Sequence, residues 1–385
     1  MARTIELVAV TGTNGKTSVV SYAQQLLTAC GRPAASYGSL GVVTPTSTDP
    51  EPELPPDDRT IPALIEELDD EVEVLVFEAT SFALARGVLD RLRLRAGVFT
   101  NLAQDHLDVH GGSMSVYLGA KSRLFTELLP ASATAILGDD DASGLIAEYL
   151  AQRGMRRVRV GGDGDLLLRN RTKGGEASSR LRLELFGEAV DIEAPVVTDF
   201  QVTNLLFALA IALDLGIDPE QAIEASAVVK HPPGRFEVVG DADGVALVVD
   251  YAHNPHALAT VLRSARELTD GRVGVVFGCG GERDRDKRAP MGRIARELAD
   301  VVVVTDDNAR REDPAVIRRT ILDACPGAVE VADRAKAVEA ALADLSRGDV
   351  LVLAGRGDER VQEIGDVHVP RSDRDLLHEL AQGER

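Results

Sequence analysis

Cysteine is scarce in this sequence, basic residues are outnumbered, and no long apolar run occurs. The three cysteines, Cys30, Cys279 and Cys325, lie far apart and form no C-x-x-C pair. Neither a zinc site nor a disulfide framework is therefore expected, and a reducing cytoplasm fits best. Acidic residues exceed basic ones 62 to 42, for a formal net charge of −20. That balance argues against a nucleic-acid partner and against binding to an anionic membrane surface. No basic-then-apolar leader and no apolar run of about 18 residues is found, so neither a signal peptide nor a membrane span is expected. What is there is ordinary for a globular chain: 44% hydrophobic and 27% charged residues over 385 positions. That length exceeds what one hydrophobic core usually organises, and two domains are expected.

Short β-branched runs alternate with helix-like segments. "IELVAV", "EVEVLVFEA", "RAGVFTN" and "ATAILGD" read as buried strands, with a helix over "TSVVSYAQQLLTA"; the alternation predicts a parallel sheet flanked by helices. Between about Gly161 and Val197 the pattern turns polar and alternating, as expected of antiparallel hairpins appended to the first domain. Helices resume at "QVTNLLFALAIALDLG". The two prolines of "KHPPGRFEVV" then mark a boundary near Lys230. A fresh set of strands follows in "VALVVD", "RVGVVFG", "ADVVVVTD" and "DVLVLAG". The expected division is 1–229 and 230–385. The stretch "TPTSTDPEPELPPDD" at 44–58 reads as an exposed loop.

The first strand runs straight into Thr11-Gly12-Thr13-Asn14-Gly15-Lys16-Thr17 and then a helix. A glycine-rich turn in that position lets backbone N–H groups and the helix N-terminus hold phosphates, with Lys16 supplying charge and Thr17 a hydroxyl for Mg²⁺. Val10 stands where the general motif has its first glycine. Glu78 closes another strand, where carboxylates of open α/β sheets face the ligand crevice. Asp105, His106 and Asp108 follow a third strand end and read either as loop residues or as cation ligands. Lys121, on an apolar-periodic helix, reads by itself as a solvated or snorkelling side chain. In the second half, "DYAHNPHAL", "FGCGGERDRDKRAPMG", "TDDNARRED" and "AGRGDE" occupy four strand ends and describe one functional rim. The basic turn "ERDRDKR" suits an anionic ligand or, equally, a solvated mixed-charge loop.

In their order, "TGTNGKT", "EATSFAL", "TNLAQDHLDVHG", "AKSRLF", "PPGRFE", "VVDYAHNPHAL", "FGCGGERDRDKRAPMG", "VVVTDDNAR" and "AGRGDE" resemble the Mur ligase family. They do so most strongly for its MurE-type members, which add the third amino acid to a UDP-MurNAc-dipeptide. The resemblance runs from about Val8 to Asp366. It implies a P-loop α/β ATPase domain with a mostly parallel sheet and a small β appendage, followed by a Rossmann-like α/β domain. It also implies an ATP-dependent ligase that joins a carboxylate to an amine through an acyl phosphate. By the same resemblance, Gly12, Thr13, Asn14, Gly15, Lys16 and Thr17 bind the phosphates, and Thr17, Glu78, His106 and Lys121 serve two Mg²⁺ ions, with Lys121 N-carboxylated. Asn204 faces the adenine, while Arg235 and Asp250 are the hinge arginine and ribose-side aspartate. Lys16, Lys121, His106 and His253 are the expected catalytic residues. Closure of the two domains would complete the site. Ser81, Asn254, Asn308, Arg310, Gly355 and Glu359 are the expected substrate residues. Arg310 would receive the distal carboxylate of a diaminopimelate-like or otherwise dicarboxylic amino acid, as an arginine fork suits; its alternative is a surface arginine at a helix start.

The sequence departs from the family at several places. Only ten residues precede Thr11, where MurE enzymes carry a domain that grips the UDP-MurNAc part. Phe82 replaces a histidine, Ala309 a proline, Arg356 a lysine and Asp358 a second histidine. Thr198 to Gln201 stand where "GxxN" precedes the adenine asparagine. The favoured expectation is a ligase for a small-molecule or peptide carboxylate that is not UDP-linked. The alternatives are a true UDP-MurNAc-L-Ala-D-Glu:diaminopimelate ligase, helped by a partner protein in substrate recognition, and a non-catalytic ATP-binding regulator.

Overall fold

The computed structural model describes residues 5–49, 60–105, 107–175 and 177–382. His106 and most of the 44–58 loop lie outside the described residues. The chain forms two compact units, one up to Ala103 together with Ser113–His231, the other from Pro232 onward together with the described part of Gln104–Gly112.

The first unit is built on an eight-stranded sheet in the order β4-β3-β2-β5-β1-β6-β7-β8. Its strands are β1 (Glu6–Thr11), β2 (Ala34–Gly38), β3 (Gly41–Val43), β4 (Thr48–Asp49), β5 (Val74–Glu78), β6 (Leu94–Phe99), β7 (Thr134–Leu137) and β8 (Arg156–Arg159). From β2 to β8 all pairings are parallel; β3 and β4 add antiparallel strands at one edge. Thr48 and Asp49 thus continue the sheet where the sequence suggests a loop. β1 lies at the centre because it is apolar on both faces, as a parallel strand covered on both sides must be. Val8 and Val10 join one core cluster, Leu7 and Ala9 the other.

The first cluster is closed by the helices Lys16–Ala29 and Asp199–Asp214. Buried Val19, Val20, Tyr22, Ala23, Leu26 and Leu27 recur at helical spacing. Thr198 accepts from Gln201 N while the Gln201 side chain returns to the cap backbone, a capping box. The departure at Thr198–Gln201 is therefore a sound helix start. An antiparallel sheet of β9 (Leu166–Lys173), β10 (Ser179–Leu185) and β11 (Glu188–Ala194) packs Leu181, Leu183 and Leu185 onto the same cluster. It is the expected appendage.

The second unit has a six-stranded sheet in the order β12-β13-β17-β14-β15-β16. Its strands are β12 (Glu237–Ala242), β13 (Val245–Asp250), β14 (Val273–Phe277), β15 (Val301–Val304), β16 (Val329–Glu330) and β17 (Val350–Ala354). All pairings are parallel except β12–β13. That hairpin turns through Asp243 and Gly244, both at positive φ, as a two-residue turn matched to strand twist requires. A small hairpin of β18 (Val361–Ile364) and β19 (Val367–Pro370) follows. No helix among the described residues is long and apolar enough to cross a membrane.

Helices Arg288–Leu298 and Pro314–Ala324 meet through Gly292, where an added Cβ would lie 2.5 Å from the Ile321 carbonyl oxygen. Gly292→Ala in an exposed helix would gain about 1 kcal/mol from helix propensity. Here it is expected to lower stability by about 1–3 kcal/mol through overpacking; a raised Tm in calorimetry would show that the two helices can separate to accommodate the methyl group.

Candidate functional site

In the first unit, phosphate-binding chemistry gathers where β1 ends. Gly15 caps the Lys16–Ala29 helix in the left-handed conformation, with no side chain serving the cap, which leaves the helix N-terminus as an anion-binding end. An added Cβ at Gly15 would meet Asn204 Oδ1 at 2.5 Å, and one at Gly12 would meet Thr100 Oγ1 at 1.9 Å. Only glycine fits either place. Asn204, 7% exposed, thus abuts the loop. Asn14 N donates to Asn101 Oδ1, and the Thr13 hydroxyl donates to Ala103 O and accepts from Ala103 N. The Lys16 ammonium donates to the carbonyls of Gly12 and Thr13, at 3.0 and 2.9 Å.

Parallel pairing of Val10 with Glu78 sets the ends of β1 and β5 side by side. The Thr17 hydroxyl donates to Glu78 Oε1 at 2.9 Å, and Ser39 N donates to the same oxygen. A hydroxyl beside a buried carboxylate is a hard-oxygen donor pair suited to Mg²⁺. Among the described residues no group of three or more His, Cys, Asp or Glu side chains forms a metal cluster.

Lys121 overturns its reading as a solvated side chain. It is 1% exposed, donates to Gly12 O at 2.7 Å and lies 4.6 Å from the centre of the Tyr117 ring. Its helix, Met114–Arg123, passes directly into a π-helical turn over Leu124–Leu128, a widening often found at functional sites. Ser81 is buried in the first turn of the helix Ser81–Ala85, capped by Thr80.

In the second unit, four loops at the C-terminal ends of β13, β14, β15 and β17 carry the polar residues. After β13, Asn254 is fully buried and caps the helix Pro255–Glu267 by accepting from Ala257 N. Asp105 receives both Asn254 Nδ2, at 3.2 Å, and His253 Nε2, at 3.1 Å. His253 Nδ1 faces Tyr251 O at 3.0 Å. The aspartate thus orients the histidine, a role that sequence left open. Asp250 accepts from Phe236 N and Ala252 N, at 2.7 and 2.6 Å. Burial drives its pKa up to about 6, against the opposing Arg235 charge and those two hydrogen bonds. Arg235 stacks over Tyr251, 4.1 Å from the ring centre, and pairs with Asp358 at 3.2 Å.

The "ERDRDKR" loop is not a solvated one throughout: Asp284, Lys287 and Arg288 are buried. Arg288 grips Glu312 with both terminal nitrogens, at 2.7 and 2.8 Å, and that hydrogen bonding holds the Glu312 carboxyl down at about 2. After β15, Asn308 donates to Glu359 at 2.8 Å and accepts from Glu363 N. Arg310 sits in the left-handed region at φ 51°, forms an isolated bridge to Ile364, and precedes the helix Pro314–Ala324. Its guanidinium is 2.7 Å from Glu363 and donates to Gly281 O. Gly355, φ 115°, leaves room for Asp307, 2.8 Å from where its Cβ would be. Asn308, Arg310, Gly355 and Glu359 are thereby brought together. Arg334, Arg356 and Asp373, all buried beneath them, had no sequence signal beyond the arginine in "GRGDE".

The raised pKa of Asp250 fixes a sign. The folded state holds this proton more tightly than the unfolded state, so the stabilising contribution is present below about pH 4 and is lost as pH rises to about 6. Calorimetry should accordingly find the Tm advantage of wild type over Asp250→Asn larger at pH 4 than at pH 7, and an equal difference at both would remove Asp250 as the source.

Comparison with known proteins bears on this geometry. The Mur ligase middle domain matches residues 10–212, and the Mur ligase glutamate ligase domain matches 234–357. The chain is 44% identical over 370 residues to a UDP-N-acetylmuramoyl-L-alanyl-D-glutamate--2,6-diaminopimelate ligase of Brucella melitensis biotype 1, covering 95% of this chain and 76% of that one. It is also 44% identical to the enzyme of that name from a Chelativorans species, covering 97% and 77%. A solved structure of an enzyme so named aligns with TM-score 0.67 and 29% identity over 99% of this chain and 79% of that one. Folylpolyglutamate synthase of Mycobacterium tuberculosis, complexed with ADP and AMPPCP, shares the fold, with TM-score 0.72 and 20% identity over 92% and 89% of the two chains. With both of its domain models matched and relatives so near across almost its whole length, the chain belongs to the Mur ligase family of ATP-dependent ligases.

Proposed function

We propose that this enzyme joins a carboxylate of UDP-MurNAc-L-Ala-D-Glu to an amino group of 2,6-diaminopimelate. The observation that carries the choice of amino acid is the grouping of Asn308, Glu359 and Arg310 at the ends of β15 and β17, a carboxylate, an amide and a guanidinium within one hydrogen-bonded set. Such a set complements an amino acid that carries both an ammonium and a second carboxylate. The names of the relatives favour this reading over the expected ligase for an acid that is not UDP-linked. They equally disfavour a non-catalytic regulator.

ATP supplies the phosphoryl group that activates the carboxylate, and Mg²⁺ offsets phosphate charge. Gly12 to Gly15 keep the loop open for phosphate oxygens, Lys16 provides a cation over the loop, and Thr17 with Glu78 offers oxygens to the metal. Lys121, as its N-carboxylated form, would add an anionic oxygen pair near Gly12, its Nζ retaining one N–H for the carbonyl. His253, oriented by Asp105, is the residue of the second unit placed to hold or move a proton at Nδ1 or Nε2.

Phosphate release with Mg²⁺, ATP, bicarbonate and meso-diaminopimelate should be at least about tenfold faster, by kcat/KM, for UDP-MurNAc-L-Ala-D-Glu than for the same peptide without its nucleotide, a gap of about 1.4 kcal/mol. Equal rates, with product confirmed by mass, would return the reading to free acids. In the same assay Arg310→Ala should raise the KM for diaminopimelate by about tenfold or more while changing that for lysine little; equal effects on both would refute the clamp. Lys121→Ala should cut kcat by about a hundredfold or more and leave ATP affinity within about threefold. Turnover like wild type in that variant would remove Lys121 from the chemistry.

A further inference from the structure

Arg356 is wholly buried immediately after β17, between Gly355 and Gly357, both at positive φ. Its Nη2 donates to Arg371 O at 2.8 Å. Its other two nitrogens point at carboxylates without reaching hydrogen-bond distance: Nε is 3.6 Å from Glu359, and Nη1 is 3.7 Å from Asp373. Asp373 is already committed. Both its oxygens accept from Arg334, at 2.7 and 2.6 Å, and Arg334 further donates to Ala354 O. Two guanidinium groups therefore share one buried aspartate, and a buried cation without a counter-charge is costly. Glu359 supplies the second negative charge. The same carboxylate accepts from Asn308 Nδ2, and Asn308 in turn receives Glu363 N beside the Glu363–Arg310 pair. A continuous polar chain thus runs from Asp373 through Arg356 to the residues proposed to hold the amino acid.

We infer that Arg356 is a positioning residue for amino-acid selection: it anchors the Glu359 carboxylate from below, so that Glu359 and Asn308 present a fixed pair to the ammonium end of the amino acid. The inference rests on the proposed amino-acid site. A lysine in this place would offer one point charge in place of a planar fork, and could not face Glu359, Asp373 and the Arg371 carbonyl together.

The test is steady-state kinetics on the full chain, with KM for meso-diaminopimelate and for ATP measured separately, for wild type, Arg356→Lys, Arg356→Met, Glu359→Gln and the Arg356→Met/Glu359→Gln pair. Arg356→Met should raise the diaminopimelate KM by about tenfold and leave the ATP KM within about twofold, with Arg356→Lys restoring part of the loss. In the Glu359→Gln background the further Arg356→Met change should have less than about a threefold effect, because the two act through one contact. A merely structural arginine would reduce the active fraction, lowering apparent kcat with both KM values unchanged; that result, or equal shifts in both KM values, or additive effects in the pair, overturns the inference. Should Arg356→Met fail to fold, Arg356→Lys reads the same split with the charge retained, and an unchanged KM ratio there is equally fatal. A wild type that forms no amide with diaminopimelate overturns the substrate reading first, and is seen before any variant is compared.

Discussion

Lateral pairing of β1 between β5 and β6 is the constraint on which the first unit depends. A strand hydrogen-bonded on both sides and apolar on both faces has no freedom in register. Its last residues therefore deliver Gly12 to Thr17 to a fixed place, beside Glu78 on one neighbour and Thr100 on the other. The turn that follows has to be tight, because Thr100 and Asn204 occupy the space that any side chain at 12 or 15 would need. Lys16 and Lys121 then meet at one acceptor, Gly12 O, from two different helices. Both side chains are thereby fixed at one point of the loop by the same backbone acceptor.

The second unit solves a different problem. Its strand ends carry charges that are paired in depth: Arg288 with Glu312 and Arg334 with Asp373. Such pairs contribute less to stability than their number suggests, because desolvation offsets much of the Coulomb attraction. They do restrict geometry, since each partner forfeits its compensation on moving. Asn308 and Glu359 are held both by bonds within their own loops and by their bond to each other.

Family resemblance and relatives agree on reaction class, and the local geometry explains why the resemblance tolerates its departures. Thr198 and Gln201, read from sequence as a lost motif, form a complete capping box that starts the helix bearing Asn204. Asp358, in place of a histidine, gives Arg235 a carboxylate while Tyr251 gives it an aromatic face. Each substitution preserves a position by another bond.

The strands, their parallel order of buried runs and the phosphate loop could be read directly, because each leaves a local signature: uninterrupted β-branched residues, then glycines, then a helix. The polar appendage was legible for the same reason, alternation with period two. What the linear order could not convey was which side chains are brought to one point across long stretches. Lys121 looks solvated on its own helix and is buried only because β1 ends beneath it. Asp105 is one acid among several in its loop and becomes the anchor of His253 and Asn254 only across about 150 residues of chain. Arg334 and Asp373 carry no periodic or motif signal, and Arg356 stands in the "AGRGDE" motif without any sign of its partners, since the pairing of buried charges is a three-dimensional property set by whichever elements the sheet packs together. Local propensity and hydrophobic spacing thus determined the elements, the ordered motifs and the family resemblance they carry implied the reaction class, and tertiary packing alone decided the partners of the charges.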